Sequence, residues 1–145
     1  TGSRSPMQWN EELNAGFSDA KAEELYIPID PDENRPTAEK AVADPDSIYH
    51  EVKKLIQIRQ STPVLQSEAQ ISFLYCEDHA YPLAYRRTNG EASVLVVVNP
   101  SGTEASFAYD GQLGDVLYQN GGDYKLEDGM FRIPAASAVY VWEKK

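Results

Sequence analysis

The chain has 145 residues, of which 41% are hydrophobic and 25% charged, and its formal net charge is −10. So acidic a chain lacks the basic stripe that a nucleic-acid partner needs, and anionic lipid would repel it. Because Cys76 is its one cysteine, the chain can form neither an intrachain disulfide nor a cysteine zinc site.

The first 42 residues show no sustained helical or strand period and are rich in Pro, Asp, Asn and Glu. Such a long irregular stretch is uncommon inside an independent compact domain. It is typical of a functional loop that lies on a scaffold. Within it, the short apolar run at residues 25–29 is expected to pack as an extended strip.

An amphipathic helix is predicted next. Asp44 is a suitable N-cap, Pro45 suits the first helical position, and Thr62-Pro63 ends the helix. The apolar stripe on one face of this helix consists of Ile48, Val52, Leu55 and Ile56. This stripe needs a partner surface, so it can fold onto the β segments of its own chain, pair with a second copy, or stay frayed. We expect partial docking within the chain, and we expect the remainder, with residues 25–29, to form a symmetric contact in a possible homodimer.

After Leu65 the pattern changes to short extended segments rich in Tyr, Phe, Val and Leu. The predicted strands are residues 71–76, 83–88, 93–98, 105–109, 116–118, 130–133 and 138–142. Asn89-Gly90 indicates a tight hairpin, and the run 95–98, apolar on both faces, indicates a central strand. Cys76 is interpreted as a small core residue. The predicted fold is mainly β, an antiparallel sandwich of Greek-key type preceded by one amphipathic helix and a long irregular N-terminal segment.

Two motifs near the N-terminus carry the functional signal. Residues 4–10 read R-S-P-M-Q-W-N, and residues 14–18 read N-A-G-F-S. Together they resemble the R-[ST]-P-M-Q-W-[DN]…N-A-G-F-S signature of glycoside hydrolase family 13, the α-amylase superfamily, on its α-glucosidase and trehalose-synthase side. Ser5 and Asn10 stand where Thr and Asp are commoner, which leaves the particular activity open. Residues 54–59 and 63–65 are similar to the family's last barrel helix.

The resemblance implies a domain organisation. In the family the signature is a loop after the last catalytic strand of a (β/α)8 barrel. Residues 1–66 are therefore predicted to be a remnant of that barrel, and residues 67–145 the C-terminal β-sandwich domain. The missing barrel becomes the expected partner, and an α-glucoside or oligosaccharide the expected substrate of the parent enzyme. Hydrolysis and trehalose-forming isomerisation both remain open.

Catalytic carboxylates are not found in this sequence. Glycoside hydrolysis uses two of them, one on each side of the glycosidic bond. The family's G-F-R-x-D and N-H-D motifs are absent, and neither His50 nor His79 precedes an Asp. We therefore predict no catalytic residue and an inactive chain when it is isolated. No cofactor is expected, and the acidic run at residues 30–34 lacks the spacing of a calcium loop.

The predicted substrate contacts, by resemblance, are Arg4, Gln8 and Trp9. Arg and Gln offer several donors to sugar hydroxyls, and an indole face suits the apolar face of a pyranose. The structural alternative is that Met7 and Trp9 only anchor the loop against the barrel.

Two other classes of function stay open. One is a free-standing carbohydrate-binding module with an aromatic surface made by Tyr81, Tyr85, Tyr109, Tyr118, Tyr124 and Tyr140. The other is a structural domain that stabilises the barrel, which is compatible with the enzyme hypothesis. Aromatic side chains in sandwich strands are more often core or cross-strand pairs than binding surfaces. The lack of disulfides fits a reducing compartment, so a cytoplasmic location is expected.

Overall fold

The computed structural model describes residues 4–144. Its contacts divide the chain into two compact units, Thr1–Lys54 and Leu55–Lys145, called here the first and second units. The predicted division after residue 66 concerns which residues derive from a barrel, and it stays a prediction.

The first unit has little regular structure. It contains two 3₁₀ turns, Leu13–Gly16 and Ala22–Glu24, and the short helix α1, Ala38–Ala43. Thr37 is the N-cap of α1, because its hydroxyl oxygen accepts a hydrogen bond of 3.2 Å from the Lys40 amide. A helix of six residues is too short to show a helical period, which is why α1 was not predicted.

Helix α2, Ile48–Ser61, is the predicted amphipathic helix. It begins later than expected, because Asp44 accepts a hydrogen bond of 3.0 Å from the Asp46 amide and forms a turn instead of an N-cap. The prediction of its N-terminus was therefore wrong, whereas Thr62-Pro63 does end it. The 3₁₀ turn Pro63–Leu65 follows.

The second unit is an antiparallel two-sheet structure, which confirms the predicted mainly-β sandwich. Strands β1 (Gln70–Tyr75), β2 (Leu83–Thr88), β3 (Ser93–Asn99), β8 (Ser137–Glu143) and β5 (Leu113–Asn120) form one sheet in that order. Strands β4 (Ala105–Ala108), β7 (Met130–Ile133) and β6 (Lys125–Glu127) form the other. Sequence reasoning missed β6, and it predicted only the middle of β5.

The two sheets enclose one apolar core. Its buried members come from both sheets: Ala84, Leu95, Val97, Phe107, Tyr109, Phe131, Ile133, Val139 and Val141. The ring of Tyr124 stacks on that of Phe131, with centroids 4.8 Å apart and planes 5° from parallel. The buried apolar side chains give this unit its stability.

A second cluster covers the opposite face of the larger sheet. Val94 and Val96 of β3 pack there against Val64 and Leu65, with Ile58 of α2 beside them. Strand β3 is thus buried on both faces, as the apolar run at 95–98 predicted. Within residues 4–144, no helix is both long and apolar enough to span a bilayer.

Two local predictions need correction. Cys76 is exposed, because β1 is an edge strand that ends at Tyr75 and leaves the next residue outside the core. The hairpin between β2 and β3 exists, but its loop has four residues, since Thr88 pairs with Ser93. The side-chain oxygen of Asn89 fills this loop and accepts hydrogen bonds from the amides of Glu91 and Ala92.

Candidate functional site

The two N-terminal motifs form one loop, residues 4–18, called here the signature loop. Its two halves are joined by the backbone. The amides of Trp9 and Asn10 both donate to the carbonyl oxygen of Ala15, at 2.9 and 3.3 Å. The second motif therefore fixes the backbone of the first.

The signature loop is also attached to the start of α1. The carbonyl oxygens of Gln8 and Trp9 accept hydrogen bonds of 2.9 Å each from the amides of Ala38 and Glu39. The backbone of Trp9 is thus fixed through its amide on one side and its carbonyl on the other. Its indole remains 52% exposed.

A left-handed turn in the second motif makes this arrangement possible. Asn14, Ala15 and Gly16 have φ angles of 52°, 55° and 69°. At Gly16, an added Cβ would lie 2.6 Å from the Oδ1 atom of Asn10, so any other residue would have to displace the Asn10 side chain and also adopt a strained φ. The sequence N-A-G therefore has a conformational reason, which the sequence alone did not indicate.

The side chain of Asn14 holds the end of this turn. Its amide nitrogen donates to the carbonyl oxygens of Ser18 and Ala20, at 2.8 and 2.7 Å. Asn14 is buried, so these bonds satisfy a polar group that would otherwise be costly to desolvate. Sequence reasoning named Asn14 only as part of the motif. Asn and Gly are turn residues, but the burial of Asn14 and its hydrogen bonds could not be read from them.

The three predicted sugar contacts lie in different environments. Arg4 is exposed, and Trp9 is half exposed. The side-chain amide nitrogen of Gln8 donates to the carbonyl oxygen of Pro36 at 3.1 Å, so this nitrogen stabilises the loop. The Oε1 atom of Gln8 is buried and has no partner among the described residues. The substrate-binding roles of all three residues stay predictions.

An ion pair marks the edge of the loop. Lys40 of α1 donates to the carboxylate of Glu11. This hydrogen bond, with the charge of Lys40, holds the pKa of Glu11 below its ordinary value. Both side chains are exposed, so the contribution of this pair to stability is small.

The first unit has almost no apolar core. Its one buried apolar residue among those described is Ala15. The large apolar side chains that it exposes are Met7, Trp9, Leu13, Phe17, Tyr26, Val42, Ile48, Tyr49 and Val52. A surface so rich in exposed apolar groups is typical of an interaction surface.

Across residues 4–144, no three His, Cys, Asp or Glu side chains lie together in a way that could hold a metal ion. His79 lies in the left-handed region, with a φ of 57°. Its Nε2 atom lies 3.6 Å from the exposed carboxylate of Asp78.

The second unit contains one polar cluster that sequence analysis missed. The carboxylate of Glu143 is 7% exposed and accepts hydrogen bonds from Arg86, Ser93 and Tyr109. Burial alone would raise the pKa of Glu143, but these donors and the charge of Arg86 lower it overall. Glu143 follows Val139 and Val141 at alternate positions of β8, and this inward register was the available signal.

Comparison with known proteins finds a matching family and relatives. The family description "Alpha amylase, catalytic domain" matches residues 1–68. The glucan 1,6-α-glucosidase of Streptococcus pneumoniae is 35% identical over 117 residues, which is 81% of this chain and 21% of that protein. The probable oligo-1,6-glucosidase 2 of Bacillus subtilis is 33% identical over 146 residues, 97% of this chain and 25% of that protein.

Solved structures share the fold. The trehalulose synthase MutB of Pseudomonas mesoacidophila superposes with a TM-score of 0.83 at 24% identity, over 98% of this chain and 25% of that one. The chain thus spans about a fifth to a quarter of the length of the relatives it matches.

The signature loop lies within the residues that match the family description, and both relatives align over most of this chain. The chain belongs to the α-amylase family, glycoside hydrolase family 13.

Proposed function

We propose that the chain is the C-terminal portion of an α-glucan-acting glycosidase or transglycosidase of family 13. The signature loop lines the sugar site of this enzyme, and the β-sandwich stabilises its barrel. The observation that carries the proposal is a loop whose backbone is fully fixed around Trp9 while the indole stays half exposed. An aromatic ring presented on a rigid backbone suits stacking on a sugar.

The first unit supports the need for a barrel. Its exposed apolar side chains have no core of their own to enter and are 45–87% exposed. Full burial of an aliphatic side chain contributes about 1.5–3 kcal/mol, so each of these forfeits part of such a gain. A barrel packed on this unit would bury these apolar side chains.

The second unit supports a stabilising role for the sandwich. It has a closed core between its sheets and a polar cluster whose hydrogen bonds are satisfied internally. The nearly buried carboxylate of that cluster, Glu143, already accepts hydrogen bonds from Arg86, Ser93 and Tyr109, which suits a structural role. We therefore assign the sandwich to stability and the chemistry to the barrel.

The names of the relatives support a proposed substrate class. Relatives that match include a glucan 1,6-α-glucosidase, an oligo-1,6-glucosidase and an α-glucosidase, and one of the fold neighbours is a trehalulose synthase. We propose α-glucosidic bonds of small oligosaccharides as the target of the parent enzyme. Both hydrolysis and isomerisation of a disaccharide are consistent with this choice.

The alternative, a free-standing carbohydrate-binding module, needs an exposed aromatic surface. Tyr109 and Tyr118 are buried, and Tyr124 stacks on Phe131 in the core. Of the six tyrosines considered, Tyr81 is the one that lies exposed. The sandwich tyrosines therefore favour the enzyme proposal over a tyrosine-lined binding surface.

A chimera tests the proposal. Residues 4–144 would replace the matching segment of the S. pneumoniae glucan 1,6-α-glucosidase, and kcat/KM for isomaltose would be measured. Trp9→Ala should lower kcat/KM by about tenfold to a hundredfold, equivalent to about 1.4–2.7 kcal/mol. Trp9→Phe should retain most of the activity, because it keeps an aromatic face.

Met7→Ala is the matched control, since Met7 is a neighbouring half-exposed side chain of the same loop. An equal loss in Met7→Ala and Trp9→Ala would mean that both residues only anchor the loop. A folded chimera in which Trp9→Ala has no effect would refute the proposed sugar contact.

A further inference from the structure

The left-handed turn of the signature loop is unusual for its residue types. Three consecutive residues lie at positive φ, and two of them, Asn14 and Ala15, carry side chains. For L-residues this region is unfavourable, least so for Asn and more so for Ala. Both residues are also buried. Such a conformation persists only where its surroundings impose it, and it often occurs at functional sites.

The restraint comes from the Asn14 side chain. Its amide nitrogen bridges the carbonyl oxygens of Ser18 and Ala20, which closes the chain that follows the turn. Two donors of one amide group are used, and a shorter or donor-free side chain could not replace them. The turn therefore depends on Asn14 both for its φ and for its closure.

The turn determines the direction of the Ala15 carbonyl group. The Ala15 oxygen faces back along the loop and accepts from the amides of Trp9 and Asn10. With an extended backbone at Asn14–Gly16, this oxygen would not reach Trp9. Asn14 therefore influences the direction of the Trp9 backbone, and hence of its indole. It does so through the turn and the Ala15 carbonyl, and not through a hydrogen bond between the two side chains.

We propose that Asn14 is a positioning residue that acts through Trp9. Resting on the proposed function, it holds the left-handed turn that presents the Trp9 indole to the sugar. Replacement of Asn14 releases the Ala15 carbonyl and lets the Trp9 ring leave its place, while the sandwich stays folded.

The first test uses the chain itself, labelled with 5-fluorotryptophan and observed by fluorine NMR. The sequence has two tryptophans, Trp9 and Trp142, and Trp9→Phe assigns the two resonances. In the unsubstituted chain the Trp9 resonance should lie away from its position in urea. In Asn14→Ala it should move at least half of the way towards that position, while the Trp142 resonance stays in place and reports a folded sandwich.

Two further variants separate the side chain from the backbone. Asn14→Gly accepts the left-handed conformation but has no amide, so it should release Trp9 as Asn14→Ala does. Asn34→Ala makes the same change at an exposed position of the same unit and should leave both resonances unchanged. The inference is overturned if Asn14→Ala and Asn14→Gly keep the native Trp9 resonance, or if that resonance already coincides with its urea position before substitution.

The second test is a double-mutant cycle in the chimera described above. Asn14→Ala should lower kcat/KM for isomaltose by roughly the same factor as Trp9→Ala. In the Trp9→Ala background it should change kcat/KM by less than about twofold, because its effect passes through Trp9. Losses that multiply would refute positioning through Trp9. Failure of the proposed function would look different. In that case Trp9→Ala alone would leave kcat/KM unchanged, while the NMR result for Asn14 would still hold.

Discussion

Arg86 of β2 and Glu143 of β8 join two strands of the larger sheet that are not neighbours. The Nε and Nη2 atoms of Arg86 donate to the two carboxylate oxygens of Glu143 at 2.5 and 2.6 Å, across strand β3. Ser93 of β3 and Tyr109 each donate a further hydrogen bond of 2.5 Å. A nearly buried carboxylate is thus surrounded by four donor atoms.

Replacing Glu143 should destabilise the sandwich. Glu143→Gln keeps the size of the side chain but leaves Arg86 without its counter-ion. We expect the free energy of unfolding to fall by about 2–3 kcal/mol in urea denaturation, less than the roughly 3–5 kcal/mol for breaking a fully buried pair, because Arg86 is partly exposed. Glu104→Gln is the matched control, since its 4.0 Å pair with Arg132 is exposed and should contribute less than about 1 kcal/mol. Equal effects of the two changes would contradict the role given to Glu143.

The same carboxylate should make stability depend on pH. The pKa of Glu143 is lowered in the folded state, so its ionised form stabilises the fold. This contribution is complete above the unfolded pKa of about 4.3. It is lost as the pH falls through the lower, folded pKa. The free energy of unfolding should therefore fall more steeply below about pH 4.3 in the unsubstituted chain than in Glu143→Gln. Parallel curves for the two proteins between pH 6 and about pH 2 would be evidence against a lowered pKa.

The left-handed turn predicts opposite effects of two neighbouring changes. Ala15→Gly removes the penalty of about 1–2 kcal/mol that a residue with a side chain has in the left-handed region. The greater conformational entropy of glycine in the unfolded chain offsets about 0.5–1 kcal/mol of this gain. Hydrogen-exchange protection of the Trp9 amide, which bonds to Ala15, should rise about threefold. Gly16→Ala forces a Cβ against Asn10 and should reduce that protection. The turn would be unstrained if Ala15→Gly lowered the protection.

Self-association of the isolated chain remains a proposal. Ile48 of α2 is 83% exposed, and Val52 and Tyr26 are also exposed. We expect these side chains and the 25–29 strip to drive a symmetric dimer, which light scattering would detect. Ile48→Glu combined with Val52→Glu should shift it to a monomer, whereas Glu39→Lys, a change at an exposed polar position of the same unit, should not. A monomer whose first forty residues are protected from exchange would contradict the proposal.

The features that could be predicted are those that a few consecutive residues determine. Residues 95–98 identified the buried central strand, because burial on both faces requires an unbroken apolar run. Thr62-Pro63 identified the end of α2 for a local steric reason. Helix α1 was missed because its six residues are shorter than two helical turns. Cys76 was wrongly placed in the core, since an edge strand gives no local sign of where its pairing ends.

The candidate site likewise combines a local motif, which the sequence shows, with a geometry that it does not show. Its motif was recognisable in residues 4–18, but its geometry was not. The hydrogen bond from Trp9 to Ala15 depends on φ angles that no residue pattern states. The bridge between Arg86 and Glu143 joins residues 57 positions apart, and only strand register brings them together.

The most direct measurement compares the chain alone with the chimera in hydrolysing an aryl α-glucoside. The purified chain should show no turnover above a buffer blank, because the paired carboxylates belong to the barrel. The chimera should show turnover within about tenfold of the unmodified relative. Turnover by the chain alone that disappears on changing one Asp or Glu, or a folded chimera without activity, would contradict the assignment of this chain to the non-catalytic part of a family 13 enzyme.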